Sequence, residues 1–133
     1  MEDHQYTVYT RNVEGADGIE AGKKATKAIL QKNSDLTALI YDKDLYAIGG
    51  AHYCYENQIS IPEDLAIAGF DDSLMAKNWI PGLTSVDDKI GIMGTKCVQA
   101  LFEMIEEGVT VAQMMLIPEI IVRDSTAAER KDK

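Results

Sequence analysis

The sequence predicts an α/β domain with a parallel sheet flanked by helices in three layers. Residues 36–41 and 65–70 are short apolar runs with almost no alternation, which is typical of parallel strands buried on both faces. A helical pattern separates the two runs, and another strand-like and helix-like pair precedes them. This order of elements favours right-handed crossovers between neighbouring parallel strands.

The first half of the chain supplies the elements of that sheet. Residues 5–10 (QYTVYT) are rich in β-branched and aromatic residues and predict a first strand. Apolar residues recur at helical spacing over 19–32 and over 45–56. We expect Asp44 to cap the second of these helices and Asn57 to end it in a left-handed conformation.

The second half departs from this rhythm. Residues 73–79 predict an irregular segment, and residues 83–86 a short extended piece. The run 114–122 predicts a last strand, which we place at an edge because Pro118 interrupts it and has no N–H to donate.

A strongly amphipathic pattern covers residues 89–107 and predicts the longest helix of the chain. Met93 and Met104 lie on its apolar side and are candidates for the core. The two cysteines, Cys54 and Cys97, show neither a CxxC spacing nor a histidine at ligand spacing, so we expect buried or partly buried thiols.

Composition excludes several classes of protein. The chain has 133 residues, 46% of them hydrophobic and 26% charged, which is ordinary for one globular domain. A net charge of −9 argues against direct contact with a nucleic-acid backbone, which needs clustered cations. Since no leader is visible and no apolar run approaches the roughly 20 residues that span a bilayer, we expect a cytoplasmic protein without membrane contact.

Acidic residues follow two neighbouring predicted strands. Asp42 and Asp44 come after the second strand, and Asp71 and Asp72 after the third. Ligands of open α/β sheets bind at the carboxyl ends of the strands, so we expect a binding site at this edge. Carboxylates accept hydroxyl donors with charge-assisted strength. They also bind Mg²⁺, which makes a magnesium-dependent phosphoacceptor domain an alternative.

Four segments of the chain resemble the sequence motifs of a known family. Residues 61–72 are IPEDLAIAGFDD, residues 80–86 are IPGLTSV, residues 36–49 are LTALIYDKDLYAIG, and residues 116–126 are LIPEIIVRDST. They resemble, in order, the PEDxxxxGFDD, PxLTxV, PTAIxxxNDxxAxG and LPxELVxRxST motifs of the LacI/GalR family of sugar-responsive bacterial repressors. Four motifs with sensible spacing make the resemblance specific.

The resemblance implies how the chain is organised. Residues 1–126 correspond to the C-terminal subdomain of a periplasmic-binding-protein-like effector domain, and residues 127–133 form a charged tail. The DNA-binding headpiece, the hinge and most of the first subdomain have no counterpart here, so we interpret the chain as part of a larger regulator. In the family, the helix matching 89–107 packs on the first subdomain. Since the effector lies between the subdomains, we expect this chain to bind it weakly by itself.

Family positions also suggest the residues that contact the effector. Asp71 matches the position that commonly hydrogen-bonds sugar hydroxyls. Lys43 stands where many members carry Asn; it offers only donors and could favour a phosphorylated effector, pair with Asp42 or Asp71, or be solvated. Arg11 lies in a loop that often places a polar residue over the ligand. For Asp72 we expect a capping role.

The same resemblance implies partners. The family's homodimer contacts run through the helix after Asp44 and the segment near Trp79. Trp79 could stack on a sugar face or fill the subunit interface; we prefer an interface or core role, with Tyr46 and Tyr53 as neighbours. The expected ligand is a small effector, either a sugar or a sugar phosphate, and operator DNA is contacted only through the headpiece. The resemblance implies neither a cofactor nor a metal ion.

Other classes fit the sequence less well. No nucleophile elbow, phosphate loop, dinucleotide fingerprint or zinc motif is present, so we do not expect an enzyme. A phosphoacceptor domain would have its acidic pair after the first strand and a lysine after the last. A periplasmic sugar-binding protein shares the fold, but the wording of the motifs is closer to the repressors.

Overall fold

The computed structural model describes residues 7–12, 18–108 and 114–127 of the chain. Helices and strands alternate through most of these residues, in the order α1 (Gly18–Leu30), β1 (Ala38–Ile40), α2 (Asp44–Glu56), β2 (Ala66–Phe70), α3 (Leu74–Asn78), β3 (Thr84–Asp87), α4 (Ile90–Glu107) and β4 (Glu119–Ile121). None of these helices is long and apolar enough to cross a membrane.

The described strands form one sheet in the order β1-β2-β3-β4. The first three are parallel, with Ala68 opposite Ile40 on one side and Thr84 on the other. The last, β4, runs antiparallel to β3 and starts just after Pro118. The predicted α/β class with a parallel sheet is confirmed, and so is the edge position of the final strand, although the strand is shorter than residues 114–122.

The core lies between the sheet and α2. Ile48 and Cys54 of α2 pack with Ile67 of β2 and with Leu83, the residue before β3, and all four are at most 1% exposed. Burying an aliphatic side chain of this size stabilises the fold by about 1.5–3 kcal/mol. Helix α1 packs against α2, and α2 packs against β2, so the described residues show the sheet and a helical layer against it.

The C-terminal segment is fastened to the middle of the sheet by Ser125, which is buried. Its hydroxyl donates to the carbonyl of Ile67 at 2.6 Å and accepts from the backbone N–H of Thr84 at 2.8 Å. Because these bonds join residues far apart in sequence, they hold the crossing chain segments against β2 and β3.

The predicted first strand is wrong for the part that the structure describes. Residues 7–10 are not in a strand, and residues 5–6 lie outside the described residues. All four described side chains are exposed, and they line a groove of about 1020 Å³ together with β1. Strand propensity measures fit to a half-buried pleated surface, and this segment has no such surface.

Two local predictions around α2 and α3 also need correction. Asn57 ends α2 with φ −106°, and the left-handed residue is its neighbour Gln58 at φ 57°. The segment 73–79 is not irregular but contains α3, whose first turn is capped by the Ser73 hydroxyl accepting from Ala76 N–H at 3.2 Å. The predicted extended piece at 83–86 is β3, in the interior of the sheet.

Helix α4 is present where the periodicity predicted it, but the predicted core positions of Met93 and Met104 and the predicted burial of Cys97 are wrong. Met93 and Met104 are 44% and 43% exposed, and Cys97 is also exposed. The described side chains from Ile90 to Glu106 are all exposed apart from half-buried Ala100. The amphipathic pattern is real, but no element among the described residues covers its apolar side.

Candidate functional site

The carboxyl ends of the three parallel strands gather acidic residues at one edge of the sheet. Asp42 follows β1, Asp71 follows β2 and Asp88 follows β3. Asp71 responds electrostatically to both of the others, so the three carboxylates share one region. This is the position at which open α/β sheets bind ligands.

The turn after β2 has an unusual backbone. Asp71 and Asp72 both have positive φ angles, 104° and 45°. Each such conformation in a residue other than glycine costs on the order of 1–3 kcal/mol, so it persists only where the surroundings impose it. In other structures this kind of local strain is found preferentially at functional sites.

Asp72 forms ion pairs with two cationic side chains. Its carboxylate lies 2.6 Å from the Arg123 guanidinium and 2.9 Å from the Lys77 ammonium. Burial alone would raise the pKa of Asp72, but these two bonds outweigh it and hold the pKa below its ordinary value. The expected capping role is therefore wrong, because Ser73 caps α3 and Asp72 forms ion pairs.

Asp71 differs from its neighbour in having its carboxylate open. The side chain is exposed, and within the described residues no group donates a hydrogen bond to it. Partial burial, together with the negative charges of Asp44 and Asp88, raises the pKa of Asp71. A carboxylate in this situation gains from hydroxyl or other neutral donors, which is the chemistry expected for sugar recognition.

Asp44 is not the N-cap of α2. Lys43 occupies the cap position without a side-chain capping bond, and Asp44 begins the helix itself. The Asp44 side chain is 1% exposed and accepts from Ser73 N–H at 2.7 Å and from Ser85 Oγ–H at 2.6 Å. The capping prediction failed because these partners lie far along the chain and appear only in the folded state.

The other two predicted contact residues lie near the same edge. Lys43 is exposed, its ammonium sits 5.4 Å from the centre of the Tyr46 ring, and its charge acts on Asp71 in the direction that favours ionisation. Arg11 is exposed and lines the groove beside β1, which also includes Asp42 and Tyr46. The structure therefore brings Lys43 close to Asp71, while Arg11 lies on the side of β1.

The three predicted interface aromatics do not share one groove. Tyr46 lines the groove beside β1, whereas Trp79 lines a separate groove of about 600 Å³ with His52 and Tyr55. The Trp79 and His52 rings are 5.0 Å apart and tilted by 58°. Tyr53 is half-buried and belongs to the lining of neither groove.

The described residues contain no group of three or more His, Cys, Asp or Glu side chains that could hold a metal ion. Of the four aspartates considered for magnesium, Asp44 is bonded to Ser73 and Ser85, and Asp72 to Lys77 and Arg123. The geometric basis of the phosphoacceptor alternative is therefore absent in this part of the chain.

Sequence reasoning missed the residues that organise the site. Ser85 and Arg123 lie within two of the family motifs, but the motifs do not show which residues they bond to in the folded chain. Lys89 was also missed; it has φ 61° and bridges Asp87 and Glu119 at 2.7 and 2.8 Å. This bridge joins the end of β3, where the chain leaves the sheet, to β4, where it returns.

Comparison with known proteins agrees with this fold. Residues 1–126 match the family model of the periplasmic-binding-protein-like domain. The chain belongs to this domain family, and its relatives include HTH-type and LacI-family transcriptional regulators.

Particular relatives illustrate the similarity. The chain is 32% identical over 127 residues to the HTH-type transcriptional regulator MalR of Streptomyces coelicolor, covering 93% of this chain and 33% of MalR. It superimposes with a TM-score of 0.79 and 29% identity on the transcription regulator GntR from Chromobacterium violaceum, covering 85% of this chain and 42% of that one.

A third relative is a sugar-binding regulator of the LacI family from Escherichia coli, solved in complex with phosphate. It gives a TM-score of 0.74 and 26% identity over 81% of this chain and 39% of its own. The chain spans about a third of the length of MalR and of a second Streptomyces regulator that it matches.

Proposed function

We propose that this chain is the C-terminal lobe of the effector-binding domain of a LacI/GalR-type regulator, with Asp71 as the principal effector contact. The observation that carries the proposal is the open Asp71 carboxylate in a strained turn at the carboxyl ends of three parallel strands. Family membership supports it independently. Lys43 and Arg11 are proposed as secondary contacts.

The proposed mechanism is allosteric. An effector bridges this lobe and a second one, favours one relative orientation of the two, and so changes how a DNA-binding headpiece meets its operator. The net charge of −9 supports a division of labour in which these residues sense the effector and a basic part of the protein contacts DNA. On this proposal the protein acts in the cytoplasm and is not an enzyme.

The same proposal accounts for the exposed α4. Its apolar residues include Leu101, Phe102 and Ile105, which are 56%, 58% and 71% exposed. An apolar surface of this extent on a helix marks an interaction site. We propose that the second lobe covers α4, and that residues 1–126 form one lobe and 127–133 a charged tail.

The proposed effector is a sugar, with a sugar phosphate as the alternative. Asp42, Asp71 and Asp88 make the edge negative, which favours neutral hydroxyl donors and opposes phosphate. Lys43 is the feature that favours the alternative. Among the relatives, the Escherichia coli regulator is a sugar-binding one, which supports the first possibility.

The proposed homodimer forms around the Trp79 groove. Two large apolar side chains at its rim, Tyr55 and Ile80, are 85% and 90% exposed. Tyr46 and Tyr53 then lie on neighbouring parts of α2 and are proposed as flanking contacts.

An NMR titration tests the effector proposal. The chain is titrated with maltose, cellobiose, glucose and glucose 6-phosphate at millimolar concentrations, because half of a cleft should bind weakly. We expect one of the neutral sugars to shift the amide signals of residues 71–73 and to lose this effect in Asp71→Asn. Glu106→Gln, which removes an exposed carboxylate on α4, serves as the control.

Two results would contradict the proposal. Shifts that survive in Asp71→Asn would place the contact elsewhere. Affinity for this chain equal to that of the intact regulator would contradict the divided cleft.

A further inference from the structure

We propose that Asp44 is the positioning residue of the effector site, holding the turn of residues 71–73 so that the Asp71 carboxylate stays open. This inference rests on the proposed role of Asp71 as the effector contact. Asp44 itself is 1% exposed and therefore acts through the turn, not through the ligand.

The turn is held by three consecutive backbone N–H groups. Asp71 N–H donates to the carbonyl of Val86 at 2.9 Å, Asp72 N–H to Ser85 Oγ at 3.0 Å, and Ser73 N–H to Asp44 Oδ2 at 2.7 Å. Two of the acceptors belong to β3 and the third is the Asp44 carboxylate. A turn with two positive φ angles needs such outside support, because its own local energy disfavours it.

Asp44 supports two of these three bonds. Its Oδ2 accepts directly from Ser73, and its Oδ1 accepts from the Ser85 hydroxyl at 2.6 Å. Since Ser85 donates its only proton to Asp44, the lone pairs of its oxygen are directed to Asp72 N–H. The carboxylate therefore sets the orientation of the hydroxyl that holds the neighbouring residue.

The surroundings of Asp44 are built to fix its position. Gly69 on β2 leaves room for the carboxylate, because a Cβ there would overlap Asp44 Oδ1 and meet Asp44 Cα at 3.1 Å. Charge-assisted bonds of this kind are shorter and stronger than neutral ones. A buried, doubly bonded carboxylate beside a glycine is an anchor with little freedom to move.

The arrangement also connects the site to the chain crossing. Ser85 and Val86 lie on β3, which leads directly to Asp87 and the Lys89 bridge to β4. Asp44 stands at the start of this connection.

The test compares two isosteric variants by NMR. In Asp44→Asn we expect hydrogen exchange of Ser73 N–H to rise roughly tenfold or more, since the amide is uncharged and has one acceptor oxygen for two donors, Ser73 N–H and Ser85 Oγ–H. The coupling constant that reports φ of Asp71 should change as well. Asp42→Asn is the matched control, because it removes a nearby charge that acts on Asp71 without touching the turn.

Titration of the Asp71 carboxyl distinguishes the effect of removing a nearby charge from the effect of releasing the turn. Both variants should lower the pKa of Asp71, because both remove a negative charge that raises it. Only Asp44→Asn should alter the Ser73 amide. If the Ser73 amide, the Asp72 amide and the Asp71 coupling are all the same in Asp44→Asn as in the wild type, the turn holds itself and the inference is wrong.

A second variant covers the case in which Asp44→Asn does not fold. Ser85→Ala keeps the Asp44 carboxylate and should speed exchange at Asp72 N–H while Ser73 stays protected. Unchanged exchange at Asp72 would overturn the role of the Asp44–Ser85 pair. These amide measurements need no ligand, so they can succeed or fail independently of the sugar titration.

Discussion

Four aspartates near the carboxyl ends of β1 and β2 have different roles because different groups surround their side chains. Asp44 is buried and bonded to Ser73 and Ser85, Asp72 is paired with two cations, and Asp71 remains open. Asp42 is exposed at the end of β1. Only the open carboxylates are available to a ligand, so the environment of each aspartate, not its identity, decides which one is a candidate contact.

The ion pairs of Asp72 predict a dependence of stability on pH. Its folded pKa lies below its ordinary value of 3.8, so its contribution is present above that pH and is lost as the pH falls through the folded pKa. At pH 7, Asp72→Asn should destabilise the chain by about 1–3 kcal/mol, because Arg123 loses its charged partner. The difference should shrink below about pH 4. Urea unfolding at several pH values measures it.

A matched control keeps this prediction specific. Glu106→Gln removes an exposed carboxylate from α4 and should leave stability nearly unchanged at every pH. A destabilisation by Asp72→Asn that stayed constant down to pH 2 would mean that the ion pairs are not its cause.

At the scale of elements, the contact between α1 and α2 depends on two facing glycines. A Cβ at Gly22 would overlap the backbone carbonyl of Tyr46, and one at Gly49 would overlap the backbone of Ile19. Backbone atoms cannot move aside as a flexible side chain can. The close approach of the two helices therefore needs both glycines, and it holds α2 in the place from which Asp44 reaches the turn.

Alanine substitutions separate packing from helix propensity. Gly22→Ala should destabilise the chain by roughly 1–3 kcal/mol despite the better propensity of alanine, since the helices must separate. Gly94→Ala on α4 is the control, because a Cβ there meets nothing within 4 Å. It should raise the helicity of α4 without loss of stability. Circular dichroism and urea unfolding report both, and equal effects of the two changes would refute the packing argument.

Helix α4 shows the limit of periodicity as a guide to burial. Its apolar spacing was interpreted correctly as one face of a helix, and Gly108 ends it in a left-handed conformation at φ 64°. Yet the apolar side chains are exposed. An amphipathic pattern predicts that the apolar face of a helix packs against something, but it does not show which element packs there.

On the scale of the whole molecule, two apolar surfaces compete for association: the Trp79 groove and the exposed side of α4. We expect light-scattering chromatography to give a dimer that Ile80→Glu breaks and Leu101→Glu does not. Ile80 is the better probe than Tyr46, which is half-buried where α2 crosses α1. Loss of the dimer in Leu101→Glu alone would mean that α4 drives association, and a monomeric wild type would contradict the proposed interface.

The sequence by itself determined the α/β class, the order of most elements and the edge at which Asp71 lies. These follow from local apolar runs, helical spacing and the residues placed directly after the strands, all of which are short-range properties. The family resemblance could also be recognised from the sequence alone, because its four motifs occur in the expected order. The edge position of β4 was also predicted from a local property, since Pro118 has no N–H to donate to a neighbouring strand.

Only the tertiary structure decided what each polar residue does. Asp44 meets Ser73 and Ser85 across 29 and 41 residues of sequence, and Asp72 meets Arg123 across 51. Such partners depend on the sheet order and register, and no local pattern encodes them. The same holds for α4 and residues 7–10, whose exposure depends on what lies beside them, because burial is a property of the neighbours as much as of the segment.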